Sequence, residues 1–233
     1  MNVDVRKLAR NVCPPLLWVG LATVRGRLSR MRTSLRTHDP SQQDLDLYWD
    51  PRMAEILETW GQDTVWREIQ LLLATRTGRV LDIACGTGRV MEILSALPLE
   101  IHGCDISPVL LSKAIDRGIP PGRVTECDAT NLPYEDNAFG HAYSIGSLEH
   151  FTAEGIDKFL AESGRVTSHS SFHNIPVSRS GRDEGWISPH QSYFNNSREW
   201  WLARFRPHFR KVSIMPSTWE DPMSLGAWFV CEN

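Results

Sequence analysis

The sequence predicts an α/β domain with a doubly wound parallel sheet, helices covering both faces. Three observations predict it. The apolar period switches near residue 78 from helical spacing to short runs; strand-like and helix-like segments then alternate as βαβαβ; and a glycine-rich turn, CGTG, directly follows the first short run.

Before the switch, over 51–75, Met53, Ile56, Leu57, Trp60, Val65, Trp66, Ile69, Leu72 and Leu73 recur at helical spacing, with Gly61 marking a break between two helices. After it, strands are expected over 80–84, 101–104, 124–127 and 141–145, and helices over 89–96, 108–117 and 153–162. Beyond Ser163 the pattern loosens. A fifth strand fits 170–177, a helix with an Asn/Ser cap fits 196–205, and strands fit 212–215 and 227–231, seven strands in all. The polar, glycine-bearing stretch 178–195 reads as a functional loop over a site.

Composition bounds the function classes. The 233 residues are 41% hydrophobic, enough for one substantial core with an extra arm. Net charge is -3, but residues 1–40 hold eight Lys/Arg against two Asp/Glu, which leaves the rest at -9. An acidic body argues against nucleic acid as the main partner. Residues 1–40 are expected to form a basic amphipathic arm and linker, and 41–233 the catalytic domain. Within 1–36, Trp18 beside an apolar patch and the arginines from Arg25 to Arg36 predict peripheral contact with an anionic membrane at its inner face. A helix capping the domain or a dimer contact is the alternative. The apolar stretch 16–24 follows Pro14 and Pro15, is interrupted by Gly20 and is too short to span a bilayer, so a cytoplasmic protein is expected. Five cysteines without a C-x-x-C pair argue against a disulfide framework and against a metal site; Cys85, Cys104 and Cys127, near three strand ends, are expected to pack.

The turn VLDIACGTGR places Asp82 on the first strand, with Gly86 and Gly88 permitting close backbone approach to a ligand. A glycine turn alone is weak evidence, because dinucleotide folds use one too. Two further acids narrow it. Asp105 ends the second strand 17 residues after Gly88, where a carboxylate takes ribose hydroxyls, and Asp128 ends the third, where it can take an adenine amino group with Ala129 leaving room for the ring. Met91 stands where the third dinucleotide glycine belongs, which disfavours a nicotinamide cofactor.

With those residues in place, VLDIACGTGR, GCDIS and CDATNLPYEDNAFGHAYSIGSLEHF resemble the class I S-adenosylmethionine (SAM) dependent methyltransferases, in particular the type 11 branch, over 79–151. The resemblance implies a Rossmann-like sheet of order 3-2-1-4-5-7-6 with its last strand antiparallel. It implies SAM as cofactor, with Asp82, Gly86 and Gly88 around the methionine end, Asp105 at the ribose, Asp128 and Ala129 at the adenine, Ser144 as the floor near the methyl group, and Ala84, Thr87 and Ile106 as further cofactor-binding residues. One departure is GRVTSHSSFHNIPV, where many members carry a Pro-Gly-Gly turn before strand five.

For the acceptor, His150 in SLEHF follows the fourth strand at the sheet's ligand-binding edge and is the candidate general base; the alternative is a loop-fixing hydrogen bond. His173, Trp186, His190 and Tyr193 are the candidate substrate residues, in a polar and aromatic setting suited to a sugar. There is no N/D-P-P-Y tetrad, the mark of methylation at a nucleobase or amide nitrogen. CPPLLWVGLATVRGRL also resembles the start of enzymes from bacterial surface-polysaccharide clusters. The expected function is methyl transfer to a polar small molecule, a hydroxyl of a sugar or glycan precursor. The alternatives are a natural-product or quinone-precursor methyltransferase and a SAM-binding partner protein without catalysis.

Overall fold

The structure, a computed structural model, describes residues 51–187 and 192–233. The arm, its boundary with the domain, and His190 lie outside the described residues. Helices α1 (Pro51–Leu57) and α2 (Val65–Leu73) precede β1 (Gly78–Ile83), α3 (Arg89–Leu94), β2 (Leu99–Asp105), α4 (Pro108–Asp116), β3 (Val124–Glu126) and β4 (Phe139–Ile145). Then come α5 (Ala153–Val166), β5 (Thr167–Ser178), a short hairpin β6 (Trp186–Ile187) and β7 (Tyr193–Phe194), α6 (Arg198–Phe205), β8 (Lys211–Glu220) and β9 (Ser224–Glu232).

The main sheet runs β3-β2-β1-β4-β5-β9-β8. With the hairpin set aside this is the order 3-2-1-4-5-7-6. Pairs from β3 to β5 are parallel, while β9 is antiparallel to both β5 and β8. Alternation along β1 shows why the sheet is covered twice. Val80 packs with Val65, Ile69 and Leu73 of α2, whereas Leu81 and Ile83 belong to the core that holds Phe159 of α5 and Trp201 and Phe205 of α6.

Helix starts follow their caps. Ser107 accepts the Leu110 N–H at α4, Thr152 the Gly155 N–H at α5, and Ser197 the Trp200 N–H at α6. Three segments exceed expectation. β5 begins at Thr167, directly after α5, so the missing Pro-Gly-Gly turn is replaced by no loop at all. β8 and β9 form a long hairpin closed by Asp221, whose Oδ1 accepts the Met223 and Ser224 N–H groups. And the loop 178–195 carries the β6–β7 hairpin. α2 is tied to this antiparallel end by Glu68, which accepts from Ser217, Thr218 and the Trp228 indole.

Candidate functional site

β1 is flanked by β2 on one side and β4 on the other, so the chain leaves the sheet in opposite directions there and opens a crevice beyond the strand ends. A cleft of about 970 Å³, its mouth included, lies at that point. Asp82, Ala84, Gly86, Thr87, Asp105, Ile106, Asp128 and Ala129 all line it.

The floor is a left-handed turn. Ala84, Gly86 and Gly88 have φ of 62°, 55° and 69°. At Ala84 this conformation carries strain of about 1 kcal/mol that a glycine would relieve. Gly88 does not line the cleft. It packs the turn onto α4, since a Cβ there would lie 2.8 Å from the Cβ of Ala114. Arg117 holds the same turn from behind, donating to the Thr87 carbonyl at 3.1 Å and pairing with Glu92 and Glu58. Sequence reasoning missed Arg117, because no local pattern marks a residue whose partners lie 30 and 59 positions away.

The three acids are differently prepared. Asp82 is 4% exposed and accepts the Tyr143 phenol O–H at 2.8 Å; burial, aided by the nearby Asp105, pushes its pKa up to about 8 against that hydrogen bond. Asp105 accepts the Gly86 and Ser107 N–H groups, both at 2.9 Å, which fixes the carboxylate to the turn; burial still raises its pKa. Asp128 is exposed, and its Oδ1 takes both the N–H and the O–H of Thr130 at 2.8 Å, leaving Oδ2 for a ligand. Thr87 contributes a buried hydroxyl without a partner. Cys85, Cys104 and Cys127 are free thiols on the same walls. The lining also includes Leu57, Trp60, Ile145, Gly146, Ser147 and Phe151, none of which the sequence singled out for this role.

Of the expected residues, Gly88, Ser144, His150, His173, Trp186 and Tyr193 do not line the cleft, and two of these, Ser144 and His173, are core residues. Ser144 is fully buried and hydrogen-bonded to His173 Nδ1 at 2.8 Å, on the face of the sheet that packs α5 and α6. His173 is equally buried, with Ser163 and Ser171 at its Nε2 and the rings of Phe159 and Phe205 beside it. Both are corrections to expectation: side chains alternate along a strand, and these two point away from the cleft. Ile145, Gly146 and Ser147 take the place given to Ser144.

His150 lies in a short 3-10 turn after β4, donating from Nδ1 to the Ser192 carbonyl at 2.8 Å. A carbonyl can only accept, so Nδ1 carries the proton and Nε2 the lone pair. Burial pushes the His150 pKa down to about 4, which keeps it neutral. Tyr193 stacks edge-on near it, 6.2 Å between centroids, and shares a hydrogen bond with Ser224. Trp186 packs against Phe194 in the hairpin rather than in the cleft. The polar groups of the loop mostly satisfy one another: Asp183 accepts from Ser197, Glu184 from Ser180 and Asn195, and Asn196 from the Gly185 N–H.

Part of the chain is similar to known proteins. Residues 80–170 match a family model described as a methyltransferase domain. The probable tRNA methyltransferase 9B of Mus musculus is 36% identical over 110 residues, 45% of this chain and 23% of that protein. The demethylmenaquinone methyltransferase of Thermotoga maritima is 39% identical over 85 residues, 35% of this chain and 37% of that one. The solved 1,6-didemethyltoxoflavin-N1-methyltransferase of Burkholderia thailandensis, with bound 1,6-didemethyltoxoflavin and S-adenosylhomocysteine, superposes with a TM-score of 0.62 over 81% of this chain and 84% of its own, at 17% identity. Residues 80–170 thus match a methyltransferase domain, and they lie within a sheet of the order 3-2-1-4-5-7-6. It spans less than half the length of the curated relatives named here.

Proposed function

We propose that this chain binds SAM in the strand-end cleft and transfers its methyl group to a hydroxyl of a polar small molecule. The observation that carries the reading is the placement of Asp82, Asp105 and Asp128 on three successive strand ends around the left-handed turn. The residues present fit the cofactor. Asp82 and the unpartnered Thr87 hydroxyl suit the amino and carboxylate groups of the methionine end, Asp105 the ribose diol, and Asp128 with the small Ala129 the adenine. Bound there, SAM supplies an electrophilic methyl on a sulfonium. The chain then has to hold the acceptor in line and keep water out, for which the apolar wall of Leu57, Trp60, Ile145 and Phe151 is suited. His150, neutral with Nε2 unprotonated, is the nearby imidazole able to accept a proton.

A sugar or glycan precursor is the first acceptor class, supported by the aromatic hairpin beside His150. A quinone precursor is the second, favoured by the apolar wall and by the demethylmenaquinone methyltransferase among the relatives. For the arm, outside the described residues, we propose peripheral contact with an anionic membrane face. The test is incubation with isotopically methyl-labelled SAM and two acceptor panels, nucleotide sugars and hydroquinones, read by mass spectrometry. Label in a sugar supports the first class, label in a hydroquinone the second. Binding of SAM with label in neither panel, over a wide acceptor range, contradicts methyl transfer.

A further inference from the structure

Glu149, next to His150, has no part in the account so far, and its setting is unusual. The residue is 4% exposed, and its Oε2 is buried without any hydrogen-bond partner. Its Oε1 lies 3.8 Å from His150 Nε2 and 3.7 Å from where a Cβ of Gly146 would be, and Gly146 is part of the cleft wall. Asn174 leaves a second buried group, Nδ2, without a partner, and its carbonyl accepts the Gly146 N–H. Buried polar atoms are left unpaired at a cost of about 1–3 kcal/mol each, so two of them grouped around one glycine of the cleft wall call for a functional reason.

We propose that Glu149 is the counter-charge of the cofactor's sulfonium: neutral in the empty site, it ionises when a cationic cofactor binds and then receives the proton of the acceptor hydroxyl. The inference rests on the cofactor reading given above. Burial, against a hydrogen bond from its own backbone, pushes the Glu149 pKa up to about 8, so the empty site holds a neutral carboxyl at pH 7. The groups facing it do not supply a positive charge. His150 is held neutral by burial, and the phenol of Tyr193, whose pKa is raised by burial and by Glu149 among other acids, is neutral as well. Glu149 and His150 would form an ion pair only if both were charged, and burial opposes charge on each. A sulfonium in the cleft removes that opposition for the carboxyl. In the transfer step the acceptor oxygen bonds to the methyl carbon as the carbon–sulfur bond breaks, the sulfur keeps the bonding pair, and the hydroxyl proton, taken up at His150 Nε2, ends on the Glu149 carboxylate 3.8 Å away. Cation and anion are both consumed, so charge balances.

The test compares SAM with S-adenosylhomocysteine, which differ by the methyl group and its positive charge. Calorimetry near pH 7.5 in two buffers of different ionisation heat counts protons released on binding. Asp82 and Asp105 also have raised pKa values, but they would meet the amino group and the ribose that both ligands share. Their protons cancel in the difference. The expected result is an excess release of roughly half a proton or more for SAM, with the ratio of SAM to homocysteine-ligand affinity rising from about pH 6 and levelling above about pH 8, and loss of both effects in Glu149→Gln. Equal proton release for the two ligands in the native protein would overturn the proposal, and so would an excess that survives in Glu149→Gln. Should that variant not fold, Glu149→Met, neutral and of similar length, takes its place in the same comparison. Failure of either ligand to bind contradicts the cofactor reading instead.

Discussion

The strand-end cleft and the loop 178–195 use polar residues in opposite ways. On the cofactor side, Asp82, Asp105 and Asp128 sit at the ends of three neighbouring parallel strands, each with capacity left for a ligand. In the loop, Asp183, Glu184, Asn195 and Asn196 look just as promising in the sequence, yet they spend their hydrogen bonds on one another and on the start of α6. A polar loop is evidence for a site only after its internal bonds have been counted. Buried polar atoms without a partner stand instead at Glu149 and Asn174, beside the Gly146 segment of the cleft wall.

Substitutions sharpen this contrast. The largest effect is expected at Gly88, where alanine combines a left-handed backbone with a 2.8 Å approach to Ala114; unfolding should become easier by roughly 2–3 kcal/mol, seen in chemical denaturation. Arg117→Ala, which frees the Thr87 carbonyl, should weaken SAM binding by about tenfold and leave acceptor KM nearly unchanged. Asp183→Ala breaks the loop's link to the α6 cap and should cost about 1 kcal/mol of stability without altering SAM affinity. If it instead changed acceptor choice at full stability, the loop would be a recognition element and the contrast would fail. The smallest effect is Ala84→Gly, which relieves the φ of 62° and should change stability by less than about 1 kcal/mol, the relief partly offset by glycine's greater unfolded-state freedom.

The fold and half of the site were legible because their signals are local. An acid at the end of an apolar run is placed by that run, and Asp82, Asp105 and Asp128 line one cleft as their positions imply. Ser144 and His173 were misplaced because one residue along a strand is a change of face, and the face is set by what packs on it. Glu149 was passed over since no local pattern marks its burial, and its neighbour His150 is held by Ser192, 42 positions away. The length of β8 is set by pairing with β9 rather than by its own alternation, so its ends carry no signal of their own.

The central claim is that the strand-end carboxylates form a SAM site. Calorimetric titration of SAM into the native protein and into Asp105→Ala tests it most directly. One-to-one binding to the native chain, weakened roughly a hundredfold in the variant through loss of two charge-assisted hydrogen bonds to the ribose, is the predicted result. Equal affinity in a folded Asp105→Ala would contradict it.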